Sequence, residues 1–211
     1  MSGVLLPLVP SSYEKVWGAA GLEPWFPNSN SKIGEVWMVC PEQIRPPLLT
    51  KFLFTSEALS VQVHPDDAYA RQYHDSCGKS ELWVILRAAP EAVIALGLRE
   101  TISRGRLREA ALSGEIEKLL NWAPVTAGDV IFAPAGTIHA IGAGIALCEI
   151  QQNADITYRL YDYGRPRELH VDQALAVASL APHPGKQTVA RGERELLTEC
   201  PAFRVERLWV Q

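Results

Sequence analysis

The chain has 211 residues, enough for one well-formed core with a small appendage but not for two full domains. With 47% hydrophobic and 21% charged residues, it has the composition of an ordinary globular protein. A formal net charge of −4 excludes a general attraction to nucleic acid or to an anionic membrane, so any anion-binding site must be local.

Strand patterns dominate the first half of the chain. Residues 1 to about 50 carry prolines and tryptophans in short irregular runs, with one clear strand among them. Alternating or continuous apolar residues predict five strands in this half, at residues 33–39, 49–54, 59–64, 81–86 and 92–98. The polar segment 66–79 is predicted to be a loop, with one helical turn as an option.

The second half begins with the strongest helical pattern. Residues 103–121 keep an apolar stripe at a period near 3.6, and Gly114 weakens the middle of this helix enough to allow a break there. A second helix is predicted at 171–180 and a linker at 181–193, where proline and glycine recur. Further strands are predicted at residues 129–133, 145–151, 156–160 and 203–210.

Many short strands with few helices indicate an all-β sandwich or barrel that carries short helical additions. The apolar stretch 130–150 is not a membrane span, because Pro134, His139 and Glu149 interrupt it. It is interpreted as part of the barrel core.

The segment from Gly128 to His139 carries the most specific motif. It reads GDVIFAPAGTIH and matches the second cupin motif, G-x5-P-x-G-x2-H, at every fixed position. Pro134 and Gly136 are expected to make a tight turn after an apolar strand and to aim the histidine into the mouth of a barrel. The alternative is a plain hairpin with a core or solvated histidine, which the complete spacing disfavours.

Two further segments offer metal-ligand chemistry. In a strand, Gln62 and His64 share one face, which gives an amide oxygen and an imidazole side by side. Glu81 begins an apolar strand, where a carboxylate is costly unless a cation pairs with it. Taken alone, the first pair favours a plain polar strand face, and Glu81 is equally well explained as a solvated strand end. Together with His139, these side chains form a set of oxygen and nitrogen ligands with room for a substrate oxygen, as in a catalytic metal site.

The four cysteines contain no C-x-x-C pair, which excludes an all-sulfur metal site. Residues 1–10 are apolar but lack basic residues and are broken by prolines, so no signal peptide is expected. We therefore expect a cytoplasmic protein with reduced thiols.

Several segments, in order, resemble the motifs of the type I mannose-6-phosphate isomerase family. They are LSVQVHPDD, GKSELW, GDVIFAPAGTIHAIG and EIQQNADITYRLYDYGR, and the match runs over roughly residues 13–180. The resemblance implies an all-β cupin jelly-roll barrel with short helical additions. It also implies a cupin barrel domain with an N-terminal extension over 1–180, with 181–211 as a linker and final strand, the remnant of a C-terminal β region.

The resemblance further implies Zn²⁺, or another divalent metal, bound by Gln62, His64, Glu81 and His139. It places three more residues in the active site, Lys79, Asp155 and Arg159. Lys79 is expected to serve in proton transfer or phosphate contact, with a pKa lowered by neighbouring cations. Arg159 is expected to bind phosphate or to stabilise an enediolate, although a surface ion pair would also explain an arginine in this polar stretch.

The expected activity is interconversion of mannose 6-phosphate and fructose 6-phosphate through a cis-enediol, with a sugar phosphate as partner and neither nucleic acid nor membrane. One rival is a non-catalytic metal-containing cupin that binds a sugar phosphate. Another is an iron dioxygenase, which prefers two histidines and one carboxylate and has less use for Gln62. The isomerase is favoured because Lys79, Asp155 and Arg159 are all present. A protein that only binds the sugar phosphate, without catalysis, should have lost at least one of them.

Overall fold

The computed structural model describes residues 7–41, 44–186 and 192–209. Within these residues the helices are α1 (Asp67–His74), α2 (Arg104–Ser113), α3 (Ile116–Leu119) and α4 (Val171–Val177). The strands are β1 (Val9–Ala19), β2 (Ile33–Val39), β3 (Leu48–Phe54), β4 (Val61–Val63), β5 (Glu81–Ala88), β6 (Val93–Leu98), β7 (Leu120–Pro124), β8 (Val130–Ala133), β9 (His139–Ile141), β10 (Ile145–Gln152), β11 (Tyr158–Tyr161), β12 (Arg194–Glu199) and β13 (Arg204–Leu208). None of the described helices is long and apolar enough to cross a membrane.

Antiparallel pairing joins these strands into two large sheets and a hairpin. One sheet has the order β1-β2-β3-β10-β5-β8, the other has the order β11-β4-β9-β6-β7, and β12 pairs with β13. The predicted all-β class with short helical additions is therefore confirmed. Neighbours in the sheets are mostly distant in sequence, which brings residues from both halves of the chain to one site.

The core lies between the two large sheets, and a second apolar layer lies outside the five-stranded sheet. Trp83 and Leu147 from the first sheet pack with Ile94 from the second. On the outer layer, Val61 and Val63 are fully buried in a cluster with residues of α2 and α4. Burying one such side chain contributes about 1.5–3 kcal/mol to the stability of the fold, so these apolar layers stabilise the position of β4.

The loop predicted over 66–79 contains an eight-residue helix, which is longer than the single turn considered from the sequence. Asp66 caps α1 by accepting a hydrogen bond from the Tyr69 backbone N–H at 2.8 Å. Asp75 ends the helix in the left-handed conformation, at φ 49°. Ala70 is the only buried residue of α1, so the helix has no apolar stripe by which periodicity could reveal it.

The helical segment is broken at Gly114, the position where the sequence allowed a break. This residue ends α2 at φ 82°, a conformation that favours glycine. The helix predicted to reach residue 121 stops earlier, since Leu120 begins β7, which pairs with β6. Tertiary pairing thus overrides helical periodicity at the end of this segment.

Four strands had no prediction, β1, β7, β9 and β12. In β1, Trp17 and Gly18 are buried whereas most of the other residues are exposed, so no alternation marks it. A Cβ atom at Gly18 would lie 2.5 Å from the Gly34 backbone nitrogen, so the close approach of β1 to β2 requires glycine there. The predicted last strand is present as β13, and Val210 lies outside the described residues.

The hairpin β12–β13 is attached to the six-stranded sheet by a small apolar cluster. Leu197 and Phe203 pack there against Leu82 and Val130. Part of the predicted linker, residues 187–191, lies outside the described residues. The division of the chain at residue 180 stays a prediction.

Candidate metal centre and active site

Strand pairing brings the predicted ligand residues to one place. Gln62 in β4 is the register partner of His139, the first residue of β9. His64 follows β4 directly, and Glu81 is the first residue of β5. The motif turn is tied to β4 by the Gly136 backbone N–H, which donates to the His64 carbonyl at 2.8 Å. Gly136 adopts φ 85°, which explains why the motif requires glycine here.

Two histidines and a carboxylate form a compact buried cluster. The ligand atoms of His64, Glu81 and His139 all lie within 4.8 Å of one another, and all three side chains are buried. Nε2 of His139 is 3.1 Å from Oε1 of Glu81, and Nε2 of His64 is 3.5 Å from Oε2. As predicted from alternation, Val61 and Val63 face the apolar layer on the other side of β4.

Backbone carbonyls orient both imidazoles. Nδ1 of His64 donates to the Ile156 carbonyl at 2.8 Å, and Nδ1 of His139 donates to the Thr137 carbonyl at 2.9 Å. A carbonyl only accepts, so Nδ1 carries the proton in each ring and Nε2 keeps its lone pair for the cluster. Burial, followed by the charge of Lys79, lowers the pKa of His64 to about 3; burial likewise lowers the pKa of His139. Both rings are therefore neutral near pH 7, the form that binds a metal.

Glu81 is ionised despite being buried. Burial alone would raise the pKa of its carboxyl, but the charge of Lys79 and the two nearby histidines hold that pKa well below its usual value. Nζ of Lys79 donates to Oε2 of Glu81 at 2.6 Å and to Nε2 of His64 at 2.9 Å. Burial lowers the pKa of Lys79, but the carboxylates of Glu81 and Glu149 outweigh it and raise that pKa. In this arrangement of charges Lys79 is a cation, and the lowered pKa expected for it beside a metal stays a prediction.

The cluster has the features of a cation site. Oε1 of Glu81 is buried and has no hydrogen-bond partner among the described residues, and it faces the lone pair on Nε2 of His139 without a proton between them. Two such electron pairs repel unless a cation lies near both. The carbonyl bonds to Nδ1 of each histidine are the usual support of metal-ligating imidazoles. These residues therefore fit a divalent metal with nitrogen and oxygen ligands.

Gln62 lies beside this cluster in a different orientation from the one that ligation needs. Its Nε2 is 3.3 Å from Nε2 of His139, and its Oε1 is 3.5 Å from the Ser60 hydroxyl. To serve as a ligand, the amide has to turn over so that its oxygen faces His139. The role of Gln62 stays a prediction.

A polar cavity of about 240 Å³ opens beside the cluster and is lined by Gln62, Lys79, Asp155 and Arg159. Arg159 makes no ion pair with a described residue; its Nη1 donates to the Glu168 carbonyl at 2.7 Å. This contact disfavours the surface ion pair considered from the sequence. Asp155 is exposed, and its nearest charged partner is Lys51, at 4.0 Å between Nζ and Oδ1. All seven predicted site residues thus meet at this cavity or the adjoining cluster, although their roles stay predictions.

Sequence reasoning missed a buried charge network on the cavity wall. Lys51 in β3 is the register partner of Glu149 in β10 and of Trp37 in β2. Its Nζ lies 3.7 Å from Glu149 Oε1 and 3.9 Å from Glu35 Oε2, and 4.4 Å from the centre of the Trp37 ring. Trp83 Nε1 donates to Glu149 Oε2 at 3.2 Å. The signal that could have found Lys51 and Glu149 is the one used for Glu81, a charge inside an apolar strand.

Comparison with known proteins relates the chain to one group of enzymes. No protein-family model matches it. The mannose-6-phosphate isomerase of Streptococcus mutans is 42% identical over 170 residues, which cover 75% of this chain and 53% of that protein. A Bacillus subtilis protein provisionally named mannose-6-phosphate isomerase is 33% identical over 217 residues, covering 83% of this chain and 68% of the relative.

The solved structures agree with the sequence relatives. The crystal structure of mannose 6-phosphate isomerase from Bacillus subtilis superposes with a TM-score of 0.84 at 29% identity, covering 95% of this chain and 78% of that one. The chain spans about half the length of the first curated relatives it matches.

Proposed function

The chain belongs to the mannose-6-phosphate isomerase family, and we propose that it interconverts mannose 6-phosphate and fructose 6-phosphate with a bound divalent metal, Zn²⁺. The observation that carries this proposal is the buried cluster of His64, Glu81 and His139 beside a cavity lined with cationic side chains. The sequence relatives and the Bacillus subtilis structure support the reaction.

The metal is proposed to be held by His64, Glu81 and His139, with Gln62 joining through its amide oxygen. When bound, it supplies Lewis acidity toward the substrate oxygens. The chain contributes two neutral imidazoles and one carboxylate in positions fixed by backbone hydrogen bonds, so the ligands need little rearrangement.

Positive side chains meet the negative charge of the substrate and of the enediolate. Lys79 keeps its ammonium group at the edge of the ligand cluster, and Arg159 lines the cavity with an Nε that is buried and has no partner among the described residues. A donor left unpaired in a buried place is stabilised when an anion accepts its hydrogen bond. Asp155 supplies a polar contact for sugar hydroxyl groups in the same cavity.

The reaction moves a proton between C1 and C2, and Glu149 is the cavity carboxyl suited to handle it. Burial, followed by the charge of Glu81, raises its pKa to about 7, while Lys79 and Lys51 partly offset the rise. A group with a pKa near the working pH exchanges protons effectively in either direction. Glu149 is therefore proposed as an acid–base residue, held by Trp83.

A coupled assay for fructose 6-phosphate tests the proposal. Protein treated with a chelator should show no turnover of mannose 6-phosphate, and Zn²⁺ should restore it. His139→Ala should stay inactive after reloading, whereas the control His74→Ala should recover, because His74 does not line the cavity and instead bonds the Tyr158 hydroxyl. Reloaded protein that binds Zn²⁺ and mannose 6-phosphate without turnover would instead favour the non-catalytic binder.

A further inference from the structure

Two arginines that follow one another closely in sequence line the cavity together. Arg159 lies in β11 beside Gln62 of β4, and Arg167 comes back to the same cavity from the segment after β11. Lys15 of β1 lines the same cavity, together with Lys51 and Lys79 described above. Arg159 was predicted from the sequence as a site residue, whereas Arg167 was not.

A buried aspartate fixes the position of Arg167. Nε of Arg167 donates to Oδ2 of Asp162 at 2.5 Å, and Nη2 donates to Oδ1 at 2.7 Å, so the two groups form a bidentate pair. The Asp162 side chain is 1% exposed and that of Arg167 is 29% exposed, so solvent reaches this pair only from the arginine side. The turn that allows it uses two left-handed residues, Tyr163 at φ 53° and Gly164 at φ 78°. Arg167 is therefore held in one orientation before any ligand arrives.

Asp162 does not neutralise the arginines around it. It also accepts hydrogen bonds from Arg165, whose Nη2 donates at 2.7 Å, so one carboxylate serves two guanidinium groups. Nη1 of Arg167 has no hydrogen-bond partner within the described ranges, and Nε of Arg159 is buried without one. Burial, followed by the charge of Arg167, lowers the pKa of Arg159, as expected for two cations that face each other. The described residues that line the cavity include five cationic and three acidic side chains, so the cavity has an excess of positive charge as well as unused donors.

An anion with several acceptor oxygens would satisfy both arginines at once. The planar guanidinium fork matches the oxygens of a phosphate monoester, and a fork already oriented by Asp162 loses less freedom on binding. We propose that Arg167, clamped by Asp162 beside Arg159, recognises the phosphate group of the substrate and makes this cavity select phosphorylated over free hexoses. The proposal rests on the proposed function and assigns to Arg167 the binding of the substrate phosphate.

Binding measurements on the zinc-loaded protein test this assignment without relying on turnover. The probes are sorbitol 6-phosphate, which cannot isomerise, and unphosphorylated sorbitol, each titrated by calorimetry. Arg167→Ala and Arg167→Lys should weaken binding of sorbitol 6-phosphate by at least about tenfold, the effect of losing a charge-assisted hydrogen bond, without changing the response to sorbitol. The matched control is Arg165→Lys, because Arg165 shares Asp162 but points to the Ala58 carbonyl and does not line the cavity.

Kinetics give a second readout. In the Arg167 variants the KM for mannose 6-phosphate should rise about tenfold or more while kcat stays within about threefold, because phosphate is bound equally in ground and transition states. Unchanged binding of sorbitol 6-phosphate in folded Arg167→Ala, or an equal loss in Arg165→Lys, would overturn the assignment. A parent protein that binds the phosphate through Arg167 but never isomerises would refute the proposed activity and leave this inference standing.

Discussion

Replacing Glu149 by glutamine should remove a pH dependence from the stability of the protein. The pKa of Glu149 is raised from 4.5 to about 7, by burial first and by the charge of Glu81 second. Of the other charged groups that act on it, Lys51 is on the adjacent strand β3, Glu35 is on β2, and Lys79 lies just before β5. Between pH 4.5 and about 7 the folded state keeps a proton that the unfolded state has released, so stability falls as pH rises through this window.

The size of the effect follows from the shift. Each pKa unit corresponds to about 1.4 kcal/mol, so a carboxyl shifted from 4.5 to about 7 loses roughly 3 kcal/mol of unfolding free energy across the window. Glu149→Gln keeps the shape of the side chain and cannot ionise. The free energy of unfolding of the variant, relative to that of the parent, should therefore increase from pH 5 to pH 8.

Urea unfolding of chelator-treated protein at pH 5 and pH 8 measures this difference. His64 and His139 are present in both proteins, so most of their contribution to the pH dependence of stability cancels when the parent is compared with the variant. The control is Glu109→Gln, at an exposed position of α2, which should leave the pH dependence unchanged. If Glu149→Gln shows the same fall in stability as the parent, the carboxyl is not protonated in the folded state, and the pairing with Lys51 dominates instead.

Three further substitutions test the site and the fold. His139→Ala should lose bound metal and activity but keep its circular dichroism spectrum, since the motif turn does not need the imidazole; retained stoichiometric Zn²⁺ would contradict the ligand assignment. Arg159→Lys keeps the charge but loses the fork, so kcat should fall more than KM rises if this residue stabilises the transition state, whereas parent-like constants would place it outside the site. Gly18→Ala should lower the free energy of unfolding by about 1–3 kcal/mol, because its Cβ would lie 2.5 Å from the Gly34 nitrogen. Gly21→Ala, whose nearest neighbour would be 4.0 Å away, is the control, and equal thermal midpoints would refute the packing argument.

The sequence by itself determined the parts of the site that depend on local geometry. The turn of Pro134 and Gly136 places His139, and a two-residue repeat places Gln62 and His64 on one face, so short-range spacing was sufficient for these predictions. Glu81 was found because a carboxylate in an apolar strand is costly anywhere in a folded chain. The sequence likewise indicated a weak point in the helix at Gly114, where the structure has a glycine in the left-handed conformation.

Other features were decided only by tertiary structure. Lys51 and Glu149 are distant in sequence, and their pairing exists because β3 and β10 lie side by side. Arg167 reaches the cavity because a turn brings it back onto Asp162, and no periodic pattern marks that contact. Long-range pairing creates these interactions, and their energy depends on burial that local sequence does not encode. The proximity of His64, Glu81 and His139 could therefore be predicted from motifs, whereas the arrangement of the charges around them depends on the tertiary structure.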